Sequence, residues 1–216
     1  MGSGFTTFTA GNVLTASEVN NYLMEQSVMV FATTGARDSA ITSPENGMLC
    51  YVTGTGLYYT YVTSAWISSA GEVLQTVSTF KNDIYTHSTT TTPSDITGMS
   101  VAITPRSTTN KVLITFSLAI GASANLRAYG DLKRGSTAIA QPATGVGAKG
   151  TWNTTVTATT SLNHVTLTYL DSPATVAATT YKLTITGSGG TIYVNRDGNS
   201  ADTTTVSGIT AQEISA

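Results

Sequence analysis

Side chains that could carry out catalysis or bind a metal are few and scattered in this sequence. His87 and His164 each lack a second imidazole or a carboxylate at the spacing of a metal site. Cys50 is the only cysteine, so no disulfide can form within the chain. We therefore expect no catalytic residue, no metal and no cofactor, although a threefold axis could bring three copies of one side chain together.

The carboxylates are equally dispersed. Asp95, Asp131, Asp171, Asp197 and Asp202 fall in turns and at strand ends, where Asp normally accepts backbone hydrogen bonds. The paired carboxylates of a glycan-cleaving enzyme are not visible. The glycine-rich run at 187–190 precedes neither a helix nor a lysine, which favours a hairpin turn over a phosphate site. These patterns argue against an enzyme.

Composition points in the same direction. Charged residues make up 10% of the 216-residue chain and the net charge is −2, so there is no basic surface for nucleic acid. Threonine makes up about a fifth of the chain, far above ordinary usage, and suits strands with one solvated face. Such surfaces are more typical of virion and adhesin proteins than of metabolic enzymes.

Nothing in the sequence indicates a membrane segment. The longest apolar-leaning run, residues 112–120, is too short and too rich in hydroxyl groups to span a bilayer. The first residues lack the basic region and long apolar run of a secretory signal. We expect that the protein does not insert into a membrane and that it is made in a cytoplasm.

The N-terminal part has its own pattern. Thr15-Ala16-Ser17-Glu18 is a capping box, and apolar residues follow it at helical spacing. This predicts an amphipathic helix over about 16–31, ended by Thr33-Thr34-Gly35. Residues 48–62 predict a β-hairpin around Gly54-Thr55-Gly56, closed by Trp66. We assign residues 1–70 to this unit.

The remainder reads as short strands separated by turn signals. We expect 71–92 to be a connector and 93–216 to be a head domain. The best strand signal is strict alternation, which predicts a central core strand: Val112, Ile114, Phe116, Leu118 and Ile120. About eight strands without intervening helices predict an antiparallel β-sandwich of jelly-roll type. A parallel β-helix is the alternative, but no fixed internal period is present.

Two groups of segments carry a resemblance to a known family. In the N-terminal part they are residues 11–26 (GNVLTASEVNNYLMEQ), 36–38 (ARD), 47–51 (GMLCY) and 64–66 (SAW). In the head they are residues 92–99 (TPSDITGM), 132–137 (LKRGST), 169–173 (YLDSP) and 190–196 (GTIYVNR). The N-terminal segments resemble small bacteriophage virion proteins found in tail fibres and related appendages. The head segments resemble a module repeated across phages of aquatic bacteria, including cyanophages.

This resemblance implies a virion structural protein, usually a homotrimer with a jelly-roll head like that of complement or tumour necrosis factor. It implies location in the virion, with the N-terminal unit attaching to the particle and the head facing outward. It does not decide between a short tail fibre or spike that adheres to the host surface and a capsid cement or head fibre that stabilises the capsid. A polysaccharide-degrading spike, which would need clustered carboxylates, and a bacterial secreted adhesin are the remaining alternatives.

Candidate contact residues follow from this division. The virion-docking candidates are the aromatic and methionine side chains of the N-terminal unit: Tyr22, Met24, Met29, Tyr58, Tyr59, Tyr61 and Trp66. The head candidates are polar residues of two loops: Asn125, Arg127, Arg196, Asp197 and Asn199. The expected partners are two further copies of the chain, other phage proteins of the tail, baseplate or capsid, and a host-surface glycan or protein. For the hairpin tyrosines, cross-strand packing within the unit is the competing interpretation.

Overall fold

The protein is mainly β-structure in two compact units. The computed structural model describes residues 10–19, 27–88, 92–143 and 150–216. It contains 52% strand and 6% helix, which confirms the predicted mainly β fold with a β-sandwich. The units comprise residues 1–70 and 71–216. No helix among the described residues is long and apolar enough to cross a membrane.

The N-terminal unit is a small four-stranded sheet with short helices. Its elements are α1 (Ala16–Glu18), β1 (Met29–Phe31), α2 (Thr34–Ala40), β2 (Leu49–Val52), β3 (Leu57–Val62) and β4 (Ala65–Ser68). The strand order is β1-β2-β3-β4, with β1 parallel to β2 and the other pairs antiparallel. The structure therefore contains the predicted hairpin as β2 and β3, and β4 adds a third antiparallel strand.

The predicted long helix is only partly correct. The capping box forms, since Thr15 N donates to Glu18 Oε2 at 2.8 Å and Glu18 N donates to Thr15 Oγ1 at 3.2 Å. Residues 29–31, however, are strand β1, and Thr33 caps a second helix, α2, by accepting from Ala36 N at 3.1 Å. The β-branched and aromatic side chains of β1 favour a strand once β2 offers a pairing edge, and this tertiary contact outweighs helical spacing.

The C-terminal unit, residues 71–216, contains twelve strands among its described residues. They are β5 (Val73–Lys81), β6 (Tyr85–Ser88), β7 (Ser94–Ile103), β8 (Lys111–Ala122), β9 (Leu126–Gly130), β10 (Leu132–Arg134), β11 (Thr137–Ile139), β12 (Trp152–Val156), β13 (Asn163–Asp171), β14 (Thr179–Gly187), β15 (Thr191–Val194) and β16 (Ser207–Ile214). We call this unit the head.

The expected connector at 71–92 is wrong for most of its length. β5 pairs with β16 from Lys81 back to Val73, and β6 pairs with β15, so both strands belong to the head. The polar, alternating residues of β5 look like a linker because β5 lies at a sheet edge with one solvated face. Lys81, an inward-pointing charge at this edge, is buried and pairs with Asp83 at 2.8 Å.

The pairing pattern is that of a jelly roll. Four pairs of strands are collinear. β15 and β16 both pair with β8, and β9 and β10 both pair with β14. β5 and β6 continue each other in the same way alongside β16 and β15, as do β11 and β12 alongside β10 and β9. Numbered one to eight along the chain, the resulting long strands form one sheet in the order 1-8-3-6 and a second in the order 2-7-4-5. All neighbours are antiparallel. This order confirms the predicted jelly roll and excludes a parallel β-helix.

The core fills the space between the two sheets. The alternating residues of β8 are buried, with Phe116 1% exposed, which confirms β8 as a core strand. From the opposite sheet, Tyr181, Leu183 and Ile185 of β14 pack into the same cluster. Because every strand of both sheets comes from residues 73–214, the head contains a complete hydrophobic core of its own.

Candidate contact surfaces

The docking candidates of the N-terminal unit lie on opposite faces of its sheet. Tyr59 and Tyr61 alternate with Tyr58 along β3, so their side chains point to opposite sides. Met29 pairs with Cys50, which pairs with Tyr59, and Trp66 pairs with Tyr61. Met29, Tyr59, Tyr61 and Trp66 therefore share one face, and Tyr58 lies on the other. Tyr22 and Met24 lie outside the described residues.

The face with Tyr59 and Trp66 packs around Arg37 of α2. Arg37 is 5% exposed, and its guanidinium lies 4.9 Å from the ring centre of Tyr59 and 4.7 Å from that of Trp66. Its Nη2 pairs with Asp38 at 2.8 Å. The Trp66 ring also meets Tyr61 edge to face at 5.3 Å. These contacts are the internal packing that the competing interpretation expects, and docking through these aromatic side chains stays a prediction.

Arg37 is the residue that sequence reasoning missed. It is the only lysine or arginine in residues 1–70, a segment that also carries five tyrosines and a tryptophan. A single cation among many aromatic rings was the available signal for a cation–π contact. Cys50, on the same face of the sheet, is also buried. Burial raises the pKa of its thiol, so this cysteine behaves as a packed apolar side chain.

The opposite face of the sheet is apolar and exposed. We call it the open face: Val30, Tyr51, Tyr58, Val62 and Ile67. The register places these residues on one side, since Val30 pairs with Tyr51 and Tyr51 with Tyr58, whose rings lie 5.1 Å apart. Val30 is 64% exposed, Ile67 55% and Tyr58 52%. Four of its five members were not among the predicted docking residues.

The head candidates lie at one end of the jelly roll. β8 ends at Ala122, where the 123–125 turn begins, and the 195–199 segment packs against the same place because Gly198 has no side chain. A Cβ atom at Gly198 would lie 1.7 Å from Ala122 O and 3.0 Å from Ser123 N. Asn125, Arg127 and Asn199 are exposed there.

Two of the head candidates, Asp197 and Arg196, make contacts within their own part of the chain. Asp197 is buried and its Oδ1 accepts from Asn199 N at 2.9 Å and Ser200 N at 2.7 Å. The hydrogen bond from Ser200 is the main reason why the pKa of the Asp197 carboxyl is lowered. The Arg196 guanidinium lies 4.1 Å from the ring centre of Tyr193. Asp197 thus forms the loop, and the exposed polar surface reduces to Asn125, Arg127 and Asn199.

The two histidines and Asp171 occupy different positions in the head. No group of three His, Cys, Asp or Glu residues able to hold a metal occurs among these residues. His87 is buried on β6, where burial lowers its pKa, and His164 is exposed on β13. Asp171, expected in a turn or at a strand end, is the buried last residue of β13 and accepts from Arg134 and Tyr181.

Comparison with known proteins gives only distant structural likeness. No family model matches the chain, and neither does any curated protein. Among solved structures, it is similar to infectious bursal disease virus of the Gx strain, at 17% identity and a TM-score of 0.37, over 74% of this chain and 43% of that one. The VP2 subviral particle of the same virus gives 14% identity and a TM-score of 0.33, over 74% and 44%.

These neighbours are structures of a virus and of its VP2 subviral particle. The chain spans less than half the length of either, and at such TM-scores the folds overlap too loosely for one to inform the function of the other. The resemblance to bacteriophage proteins stays a prediction.

Proposed function

We propose that the protein is a non-enzymatic structural component of a bacteriophage virion, a trimeric short tail fibre or spike. In this proposal the N-terminal unit attaches the protein to the particle and the jelly-roll head faces outward to adhere to the host surface. The proposal joins the sequence resemblance to a division of labour between the two units.

The observation that supports this division is the open face. A soluble sheet normally covers its apolar side, and exposed apolar clusters mark contact sites. Val30, Tyr58 and Ile67 are each more than half exposed, whereas the opposite face packs on α2. Aromatic residues supply much of the energy of protein interfaces, so Tyr51 and Tyr58 are suited to anchor a partner. The head needs no such partner to complete its core.

The docking role is tested by incorporation into particles. Tyr58→Ser combined with Ile67→Ser removes the apolar centre of the open face without touching the Arg37 cluster, so the unit should still fold. We expect at least a tenfold loss of the protein from purified particles, measured by immunoblot. Val176→Ser, which removes an exposed apolar side chain of the head, is the matched control and should incorporate normally. Normal incorporation of the double variant would refute docking through this face.

Deleting the head separates the fibre from the cement role. A chain ending near residue 70 should still join particles. If the protein is a fibre, these particles lose host adsorption; if it is a cement or head fibre, adsorption persists and the capsid becomes less resistant to heat. A headless chain that fails to incorporate, together with an isolated head that succeeds, would show that the jelly roll is itself the docking surface.

A further inference from the structure

The outward face of the sheet formed by β5, β16, β8 and β13 carries two aligned rows of side chains. The register defines the first row as Phe80, Gly208, Ser117 and Thr166. The second row is Ser78, Thr210, Thr115 and Thr168. A polar outward face is usual for an antiparallel sheet, so the hydroxyl groups alone indicate nothing. The first row differs because the exposed aromatic ring of Phe80 lies beside Gly208, which has no side chain.

Phe80 is the most exposed large apolar residue described in the head, at 73%. Its ring lies beside Gly208, since a Cβ atom there would lie 3.6 Å from Phe80 Cδ2. Gly208 has no positive φ, so the turn chemistry that usually selects glycine does not apply at this position. The absent side chain instead leaves a depression between the ring and the hydroxyl groups of β8 and β13.

This depression, which we call the trough, has a volume of about 400 Å³. One wall is formed by Phe80 and Ser78 of β5, and the other by Thr115 and Ser117 of β8 together with Thr166 of β13. Gly208 and Thr210 of β16 form the floor, and Val206 lies at one end. None of the described residues that line it carries a charge. The volume falls within the range of small-molecule sites, about 300–1,000 Å³.

We propose that the trough binds a neutral saccharide of the host surface. A pyranose has an apolar C–H face that can pack on the open side of the Phe80 ring by dispersion. Its hydroxyl groups both donate and accept hydrogen bonds, and so do the Ser and Thr hydroxyls around the ring. An anionic sugar would find no cation to offset its desolvation. The site deepens the proposed function, on which its biological role rests, by naming the class of host ligand.

The composition of the trough disfavours a protein partner. Serine is depleted in protein interfaces, and serine and threonine are under-represented among the residues that dominate binding energy. Apart from Phe80 and Val206, the side chains facing the trough are small hydroxyl groups. Thr115 and Thr168 also hydrogen-bond to each other at 3.2 Å, which fixes their orientation before a ligand arrives.

Binding is tested with the full-length protein and defined sugars. The probes are neutral trisaccharides of glucose, galactose and mannose, with sialyllactose as the charged comparator, measured by saturation-transfer NMR and calorimetry. We expect at least one neutral probe to bind and sialyllactose to bind at least tenfold more weakly. Phe80→Ala should weaken the neutral probe at least tenfold. Gly208→Ser, which fills the floor, should do the same, and Val176→Ala is the matched control.

Folding and self-association are checked on the same samples. Unchanged melting temperatures and unchanged mass by light scattering are required of both trough variants. If no neutral probe binds, or if Phe80→Ala leaves binding intact, the proposal is wrong. If Phe80→Ala instead lowers the mass of a wild-type oligomer, the trough is a contact between copies of this chain and the saccharide proposal is overturned. These measurements need no particle. A negative result for saccharide binding therefore does not bear on docking through the open face, which the incorporation experiment tests separately.

Discussion

The carboxylate of Asp171 joins the two sheets of the head. It accepts two hydrogen bonds from Arg134 Nη1, at 2.9 and 3.0 Å, and one from Tyr181 Oη at 2.7 Å, and both donors come from the opposite sheet. Burial, together with this bond to Asp171, raises the pKa of Tyr181 well above its usual range. The tyrosine therefore stays a hydrogen-bond donor at any ordinary pH.

Replacing Asp171 should cost far more stability than replacing an exposed partner. Asp171→Asn removes a buried negative charge that pairs with the half-buried Arg134 and accepts from Tyr181, and we expect a loss of about 2–3 kcal/mol in the free energy of unfolding. Asp95, which pairs with Lys182 at 2.6 Å and is half exposed, is the matched control. Asp95→Asn should cost less than about 1 kcal/mol. Urea titrations of both variants measure the difference, and equal losses would contradict it.

Two buried side chains, His87 and Glu213, should make the protein less stable in acid. Burial lowers the pKa of His87, so the unfolded chain takes up this proton first and stability should fall as the pH drops through about 6.5. Burial alone would raise the pKa of Glu213, but hydrogen bonds from Asn110, Gln75 and Arg106 N, each 2.6 Å long, outweigh it and the pKa is lowered. Its stabilisation is present above about pH 4.3 and is lost as the pH falls further, through the folded pKa.

Thermal melts between pH 8 and pH 3 test both groups. The wild type should lose melting temperature in two stages, near pH 6.5 and again below about pH 4.3. His87→Phe should remove the first stage, whereas His164→Phe, at an exposed position, should leave it in place. A first stage that persists in His87→Phe would assign it to another group.

Elements with strong alternation were predictable, and elements whose identity depends on a distant partner were not. β8 could be predicted because both its alternation and its core position follow from five apolar residues. β1 could not, because Val30 and Phe31 fit a helical spacing as well as a strand, and only the edge of β2 decides. Local spacing likewise assigns Asp171 to a strand end but does not reveal that Arg134 faces it across the core.

The assignment of β5 and β6 to a connector was the most consequential error at the scale of elements, and its correction leads to a prediction. A chain beginning at Pro93, the head boundary expected from the sequence, lacks the edge strand that pairs with β16 and β15. Val77 and Tyr85, which pack against the core, are lost with it. We expect this chain to be insoluble or to melt without cooperativity, whereas one beginning at Gly71 should fold.

Circular dichroism and soluble yield distinguish the two fragments. The longer fragment keeps all eight long strands, and its Gly71 N still donates to Ser215 O at 2.8 Å. Cooperative melting of the 93–216 fragment at the temperature of the 71–216 fragment would show that β5 and β6 are dispensable, and would restore the connector interpretation.

At the scale of the whole molecule, the low charge bears on assembly. Only 10% of residues are charged, so little electrostatic repulsion opposes self-association. The head also exposes apolar side chains on the same outward face, beside the trough. Leu170 of β13 is nearly half exposed and pairs with Leu113 of β8 two rows from the first row of the trough. This pair is a suitable centre for contacts between subunits.

We expect a homotrimer, in keeping with the resemblance to trimeric jelly-roll proteins. Light scattering at micromolar concentration should give three times the 22.4-kDa chain mass. Leu170→Ser should lower this mass, because a polar side chain at an apolar contact loses buried area and leaves a hydroxyl group to desolvate. Phe80→Ala should leave it unchanged if the trough is free for saccharide. A monomeric wild type would refute the trimer prediction. It would also exclude a site formed by three copies of one histidine or aspartate on a threefold axis.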